Sequence, residues 1–148
     1  MSEDNPIRVF VSHAFSESDD YLRVFEYIES NPNFYYVNTS QPDRIPSGGS
    51  EAYKQALREQ IEASETVIVL AGLYEQKRDW VRYQLNAAQA LGRPVIALNG
   101  FGGALPMPEE LAGVAQEQPG WNEREIVDAI KRTARNEDTN RWEVIDFP

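Results

Sequence analysis

Two kinds of apolar pattern take turns along this chain. Short stretches of β-branched and aromatic residues over 7–12, 34–38, 66–70 and 94–99 read as strands. The third, Thr66-Val-Ile-Val-Leu70, has no polar alternation at all, as expected of a strand covered on both faces. Between the strands, apolar residues return every three or four positions. Tyr21, Leu22, Phe25 and Ile28 make one such stripe behind the acidic start Glu17-Ser-Asp-Asp20, which suits the positive end of a helix dipole. Tyr53, Leu57 and Ile61 make another, on a helix that Ser50 can cap. Trp80, Gln84, Ala87 and Leu91 share a face of a third helix, over 80–91, which Gly92 and Pro94 bring to an end. Gln84 thus lies among apolar neighbours, which places its amide near a cleft or the core. A short helix can start at Pro108, and Ile126, Val127 and Ile130 are the buried positions of a last one.

Strands alternating with helices predict an α/β fold: a flavodoxin-like open parallel sheet of about five strands with helices on both faces. The alternation over 141–147 is strand-like and assigns that tail to the domain's edge. The chain reads as one domain, 1–148, with a core over about 7–133 and a tail over 134–148. In such a sheet ligands bind beyond the carboxyl ends of the strands, so the loops over 12–15, 38–49, 70–74 and 99–103 should converge on one crevice. Gly48, Gly49 and Ser50 put bare backbone amides at a helix N-terminus there, a seat for phosphate unless the glycines only make a turn.

Composition narrows the chemistry. With 148 residues and 41% hydrophobic content, the chain is long enough to bury a core without staples. It has no cysteine and one histidine, His13, which excludes disulfides, thiolate catalysis and multi-histidine or cysteine-ligated metal sites. No apolar run approaches the ~20 residues of a membrane helix, and the N-terminus lacks the pattern of a signal peptide. No membrane partner and a cytoplasmic location are therefore expected. The net charge of -10, from 24 acidic and 14 basic residues, repels a phosphate backbone, so nucleic acid is not an expected partner. A dinucleotide would need a local cluster of amides and arginines.

Six stretches, taken in order, resemble the TIR-domain family, and within it most closely the bacterial Thoeris antiphage type. Val9-Phe-Val-Ser-His13 is similar to the first-strand motif, Pro46-Ser-Gly48 to the Pro-x-Gly of the BB loop, and the run over 61–70 to the second helix and third strand. Asp79-Trp-Val81 with Gln84 resembles the Trp-x-x-x-Glu helix, and Gly92-Arg-Pro-Val-Ile96 the strand after it. Gly120-Trp-Asn122 resembles the Trp-Asn before the final helix of the Thoeris group. The resemblance implies cleavage of the bond between nicotinamide and ribose in NAD+, giving ADP-ribose, a cyclic isomer or a conjugate that signals to a downstream effector. NAD+ would be the substrate, with no resident cofactor and no metal. A homo-oligomer and a phage protein as trigger are further partners that it implies.

The same resemblance nominates Gln84 as the position of the catalytic glutamate. Ser12, His13, Ala14 and Phe15 would line the nucleotide cleft after the first strand, with Phe15 offering a ring to stack. Asn38 stands where many relatives carry Asp. Asp43, Arg44 and Ser47 belong to the BB loop, where Arg44 could meet phosphate, and Trp80 would close the ribose or nicotinamide pocket. Ala14-Phe15 departs from the basic residue that family NADases often place after the first strand. Cleavage builds oxocarbenium character on the ribose, which a nearby carboxylate stabilises. Glutamine keeps the size and the oxygen but not the charge, and such a loss costs roughly a hundredfold or more in rate. Three readings of Gln84 compete: a glutamate replaced to arrest turnover, a naturally inactive TIR scaffold or nucleotide-binding module, or another carboxylate such as Glu75 doing the work. A nucleoside deoxyribosyltransferase-like enzyme is a further alternative, since it breaks N-glycosidic bonds on a related fold. A phosphoacceptor receiver domain is excluded, because Leu70-Ala71-Gly72 lacks the required aspartate.

Overall fold

The computed structural model of the chain describes residues 1–103 and 105–139; the strand-like tail over 141–147 lies outside the described residues. In chain order the elements are β1 (Ile7–Val11), α1 (Asp19–Glu29), β2 (Tyr36–Asn38), α2 (Gly49–Glu62) and β3 (Thr66–Leu70). There follow α3 (Ala71–Gln76), α4 (Arg78–Ala90), β4 (Val95–Leu98), α5 (Glu109–Val114) and α6 (Glu123–Arg135). The strands form one sheet in the order β2-β1-β3-β4, and every pairing is parallel. This is the flavodoxin-like order up to its fourth position. Beyond β4, the Gln116 N–H donates to Val95 O at 2.8 Å and the Ala97 N–H to Glu117 O at 3.0 Å, a single parallel bridge. Pro119, which has no N–H to give a ladder, ends the pairing there. The sheet of about five strands is thus four strands and one bridge among the described residues.

All five residues of β3 are buried, as its unbroken apolar run predicts. Burying each such side chain contributes about 1.5–3 kcal/mol. The helix layers follow from the apolar stripes. α6 packs on β1, β3 and β4 with α1 beside it, while α2 packs on α4, which covers β3. Leu57 and Ile61 of α2 and Ile126, Val127 and Ile130 of α6 are buried as expected. On α1 the stripe is rotated: Val24 is fully buried and Leu22 is 46% exposed, because Tyr21 and Ile28 set the inward face.

Two helices carry side-chain N-caps, and the one cap expected from the sequence, Ser50, is not among them. Ser18 caps α1 by accepting from the Tyr21 N–H at 3.2 Å, and Asn122 caps α6 by accepting from the N–H groups of Arg124 and Glu125, each at 3.0 Å. At α2 it is Gly48, not Ser50, that takes the N-cap position, with no side-chain cap bond. Gly48 has φ 118 and Gly49 φ 76, so the glycine pair serves a turn that other residues would resist. The segment over 70–74, expected as a loop, enters α3 directly, and α4 begins two residues before the expected start at Trp80.

Candidate functional site

The end of β1 is tied down by polar groups of its neighbours. Ser12 is fully buried, and its Oγ accepts from the Leu70 N–H at 3.1 Å, joining the ends of β1 and β3. Next comes His13, whose peptide is held on both sides by one side chain. Gln84 Oε1 accepts from the His13 N–H at 3.2 Å, and Gln84 Nε2 donates to the His13 carbonyl at 2.7 Å. Because the backbone N–H can only donate and the carbonyl only accept, the orientation of the amide is dictated. Gln84 is 0% exposed, so the expectation that it lies near the core holds, and both its amide oxygen and its nitrogen bind the His13 peptide.

The imidazole of His13 is equally constrained. Its Nδ1 accepts from the Phe15 N–H at 3.1 Å, and its Nε2 lies 2.8 Å from Oε1 of Gln60. That same Gln60 oxygen accepts from the Gln41 N–H at 2.9 Å, so it is an acceptor toward His13. His13 is therefore the neutral tautomer with its proton on Nε2. Burial pushes its pKa down, against smaller upward pulls from the Gln60 bond and the charge of Asp43. Phe15 folds back edge-on over the imidazole at 5.0 Å and lies 4.9 Å from the Tyr53 ring, which continues to Trp80 at 6.0 Å. Four of the expected site residues, His13, Phe15, Trp80 and Gln84, thus meet in one cluster.

Asn38, Asp43 and Arg44 lie apart from it, while Ser12 and Ala14 flank His13 in the chain. Asn38 ends β2, where its Nδ2 donates to the Tyr21 hydroxyl at 3.0 Å and its Oδ1 accepts from the Ser40 N–H at 2.9 Å. Asn38, Asp43 and Arg44 line an open cleft of about 800 Å³ between the loop after β2 and α2. Gln60 reaches this cleft as well, which makes it the link between the two regions. Ser47 is exposed and Ala14 partly buried. The single crevice expected from four converging loops is divided instead. α3 follows β3 without a loop, and the Phe15 ring packs against His13, whose peptide Gln84 holds. A separate hollow of about 370 Å³, rimmed by Glu17, Asp19 and Asp20, adjoins α3. Those carboxylates disfavour a phosphate, and Arg23 beside them is bound to Asp20 at 2.8 Å. Arg44, which donates to Gln41 Oε1 at 3.5 Å, is better placed for an anion.

Gln60 and Tyr53 are the residues that sequence reasoning passed over. Both fall on the buried stripe of α2, three residues after Leu57 and four before it. An amide interrupting that stripe was the available signal. Trp121 and Asn122, matched to the Trp-Asn pair, act structurally: Trp121 Nε1 donates to the Asn99 carbonyl at 2.9 Å, and Asn122 caps α6.

A parallel sheet in this order with helices on both faces makes this an α/β domain of the flavodoxin-like class. Residues 10–100 match the family described as Thoeris protein ThsB, TIR-like domain, and the chain belongs to that family. No curated protein matches it. Among solved structures, it is similar to a de novo designed Rossmann 2x3 fold protein determined by solution NMR, at 12% identity and a TM-score of 0.49 over 93% of this chain and 98% of that one. Among the described residues no helix is long and apolar enough to cross a membrane.

Proposed function

We propose that this chain serves Thoeris-type antiphage defence as a TIR domain that takes NAD+ beside His13 and Gln84, and that with glutamine at 84 it leaves the nicotinamide–ribose bond intact. The observation that carries this is the Gln84 amide, neutral, buried and spent on the His13 peptide. Breaking the glycosidic bond builds positive charge on the ribose, and a neutral group whose oxygen already accepts a hydrogen bond gives that charge little stabilisation. Glutamate at 84 would change two things together. It would supply the charge, and it would lose the donor that meets the His13 carbonyl. A carboxylate oxygen 2.7 Å from that carbonyl is repelled, so the group would turn away from it, toward a ribose seated beside His13. The product would be ADP-ribose, a cyclic isomer or a conjugate, passed to an effector. Arg44 in the neighbouring cleft is the group assigned to phosphate.

The test is release of nicotinamide from NAD+ by the parent chain and by Gln84→Glu, followed by mass spectrometry with a triggering phage lysate present. The expected result is no release by the parent and release by the variant, at least a hundredfold faster. A folded Gln84→Glu protein without turnover would sink the latent-enzyme part of this reading.

A second reading is favoured by the fit of the amide itself. Its donor and acceptor match the two ends of one peptide, as a residue native to a non-catalytic module would. That module binds nucleotide or a protein partner, including a second copy of the chain, and predicts an inert Gln84→Glu.

A further inference from the structure

Phe15 has φ 61, a backbone conformation that bulky L-residues rarely adopt and that persists only where the surroundings enforce it. Its enforcement is visible: the Phe15 N–H is bonded to Nδ1 of His13, and His13 is held in turn by Gln60 and Gln84. The floor under the ring is therefore rigid. What the ring itself touches is aromatic, the edge of His13 at 5.0 Å and Tyr53 at 4.9 Å, with Trp80 behind Tyr53. Such walls select a flat ring by stacking and edge contacts rather than by charge. Ser16 and Glu17, which follow, are exposed, so the segment has room to swing outward.

We propose that Phe15 is a removable plug: its ring occupies an aromatic seat between His13 and Tyr53, and the flat heteroaromatic ring of a nucleotide takes that seat when the loop swings out. This rests on the NAD+ reading and adds what controls entry. The ring is thus an occupant of the site, in contrast to the stacking partner that the sequence suggests. Displacing it releases the left-handed backbone and exposes the groups that it covers.

Calorimetry on the parent chain, Phe15→Ala and Phe15→Trp tests this, with NAD+ as one probe and adenosine and N-methylnicotinamide as ring-only probes. Phe15→Ala is expected to bind NAD+ at least tenfold more tightly than the parent, and Phe15→Trp, which refills the seat, is expected to lose that gain. Tighter binding of the ring-only probes without any for NAD+ would uphold the plug and overturn the NAD+ reading. Equal or weaker NAD+ binding by a folded Phe15→Ala would overturn the plug and leave the NAD+ reading standing. Binding of no probe by any variant would overturn both. Phe15→Gly, which accepts φ 61 without strain, replaces Phe15→Ala should the latter fail to fold, with the same outcomes.

Discussion

The two ends of β1 are anchored in different ways. At its base, Arg135 from α6 grips Glu65 through two bonds of 2.7 and 2.9 Å and donates to the Asn5 and Pro6 carbonyls, while the Arg8 N–H donates to the same carboxylate at 3.0 Å. At its top, Gln84 grips the His13 peptide and Gln60 the imidazole, without a charge in any contact. Both arrangements bind a neighbouring segment's backbone. The base, however, is at the rim, where Glu65 keeps 15% of its side chain in water, and the top is sealed. Water at the rim makes a charge tolerable. A charge in the sealed position would need a partner that the top does not offer. The contrast gives position 84 its physical meaning: the carboxylate expected of the family is the kind of group that this end of the strand excludes as presently packed.

Gln84→Ala should break this contrast most forcefully, since it strands a buried N–H and a buried carbonyl. A loss of about 3 kcal/mol is expected in urea denaturation. Glu65→Gln keeps the shape at the base, removes the charge and turns one of the two accepting oxygens into a donor. There a loss of about 1 kcal/mol is expected, because the pair is partly solvated. Equal losses in the two variants would mean that burial does not separate the two ends.

How much of this was legible beforehand depends on what kind of group does the work. The strands announced themselves through their β-branched runs, and Gln84 through its place on an apolar stripe. Its partner could not be read, because a backbone N–H and carbonyl carry no residue signature. Leu22 looked buried because a helical period tolerates a small rotation of the face, which Tyr21 and Val24 decided through packing. α3 was missed since Gly72 argues against a helix locally, and tertiary contacts overrode that weak preference. Tyr53 read as core, as it partly is, and Gln60 was passed over; the role of both appears only when α2 is set beside the end of β1.

Titration sharpens the contrast with a smaller effect. His13 has a pKa lowered by burial from 6.5, so the unfolded chain binds a proton more readily than the folded one. Stability from the top of β1 is thus fully present above pH 6.5 and falls as the pH drops below it. Protonation there would also place a hydrogen on Nδ1, facing the Phe15 N–H, and loosen the plug. Glu65 has its pKa lowered from 4.5, chiefly by the Arg135 hydrogen bond, so the base keeps its contribution down to about that value and loses it below. Chemical denaturation across pH 8 to 3 should therefore show two separate declines. Glu65→Gln should shrink the lower one, to which Glu110 also contributes, and leave the upper in place, and a His13 ring signal followed by NMR should titrate below 6.5. A parent chain whose stability is flat between pH 7 and 5 would mean that His13 is open to water, against the packing that Phe15 and Gln84 impose.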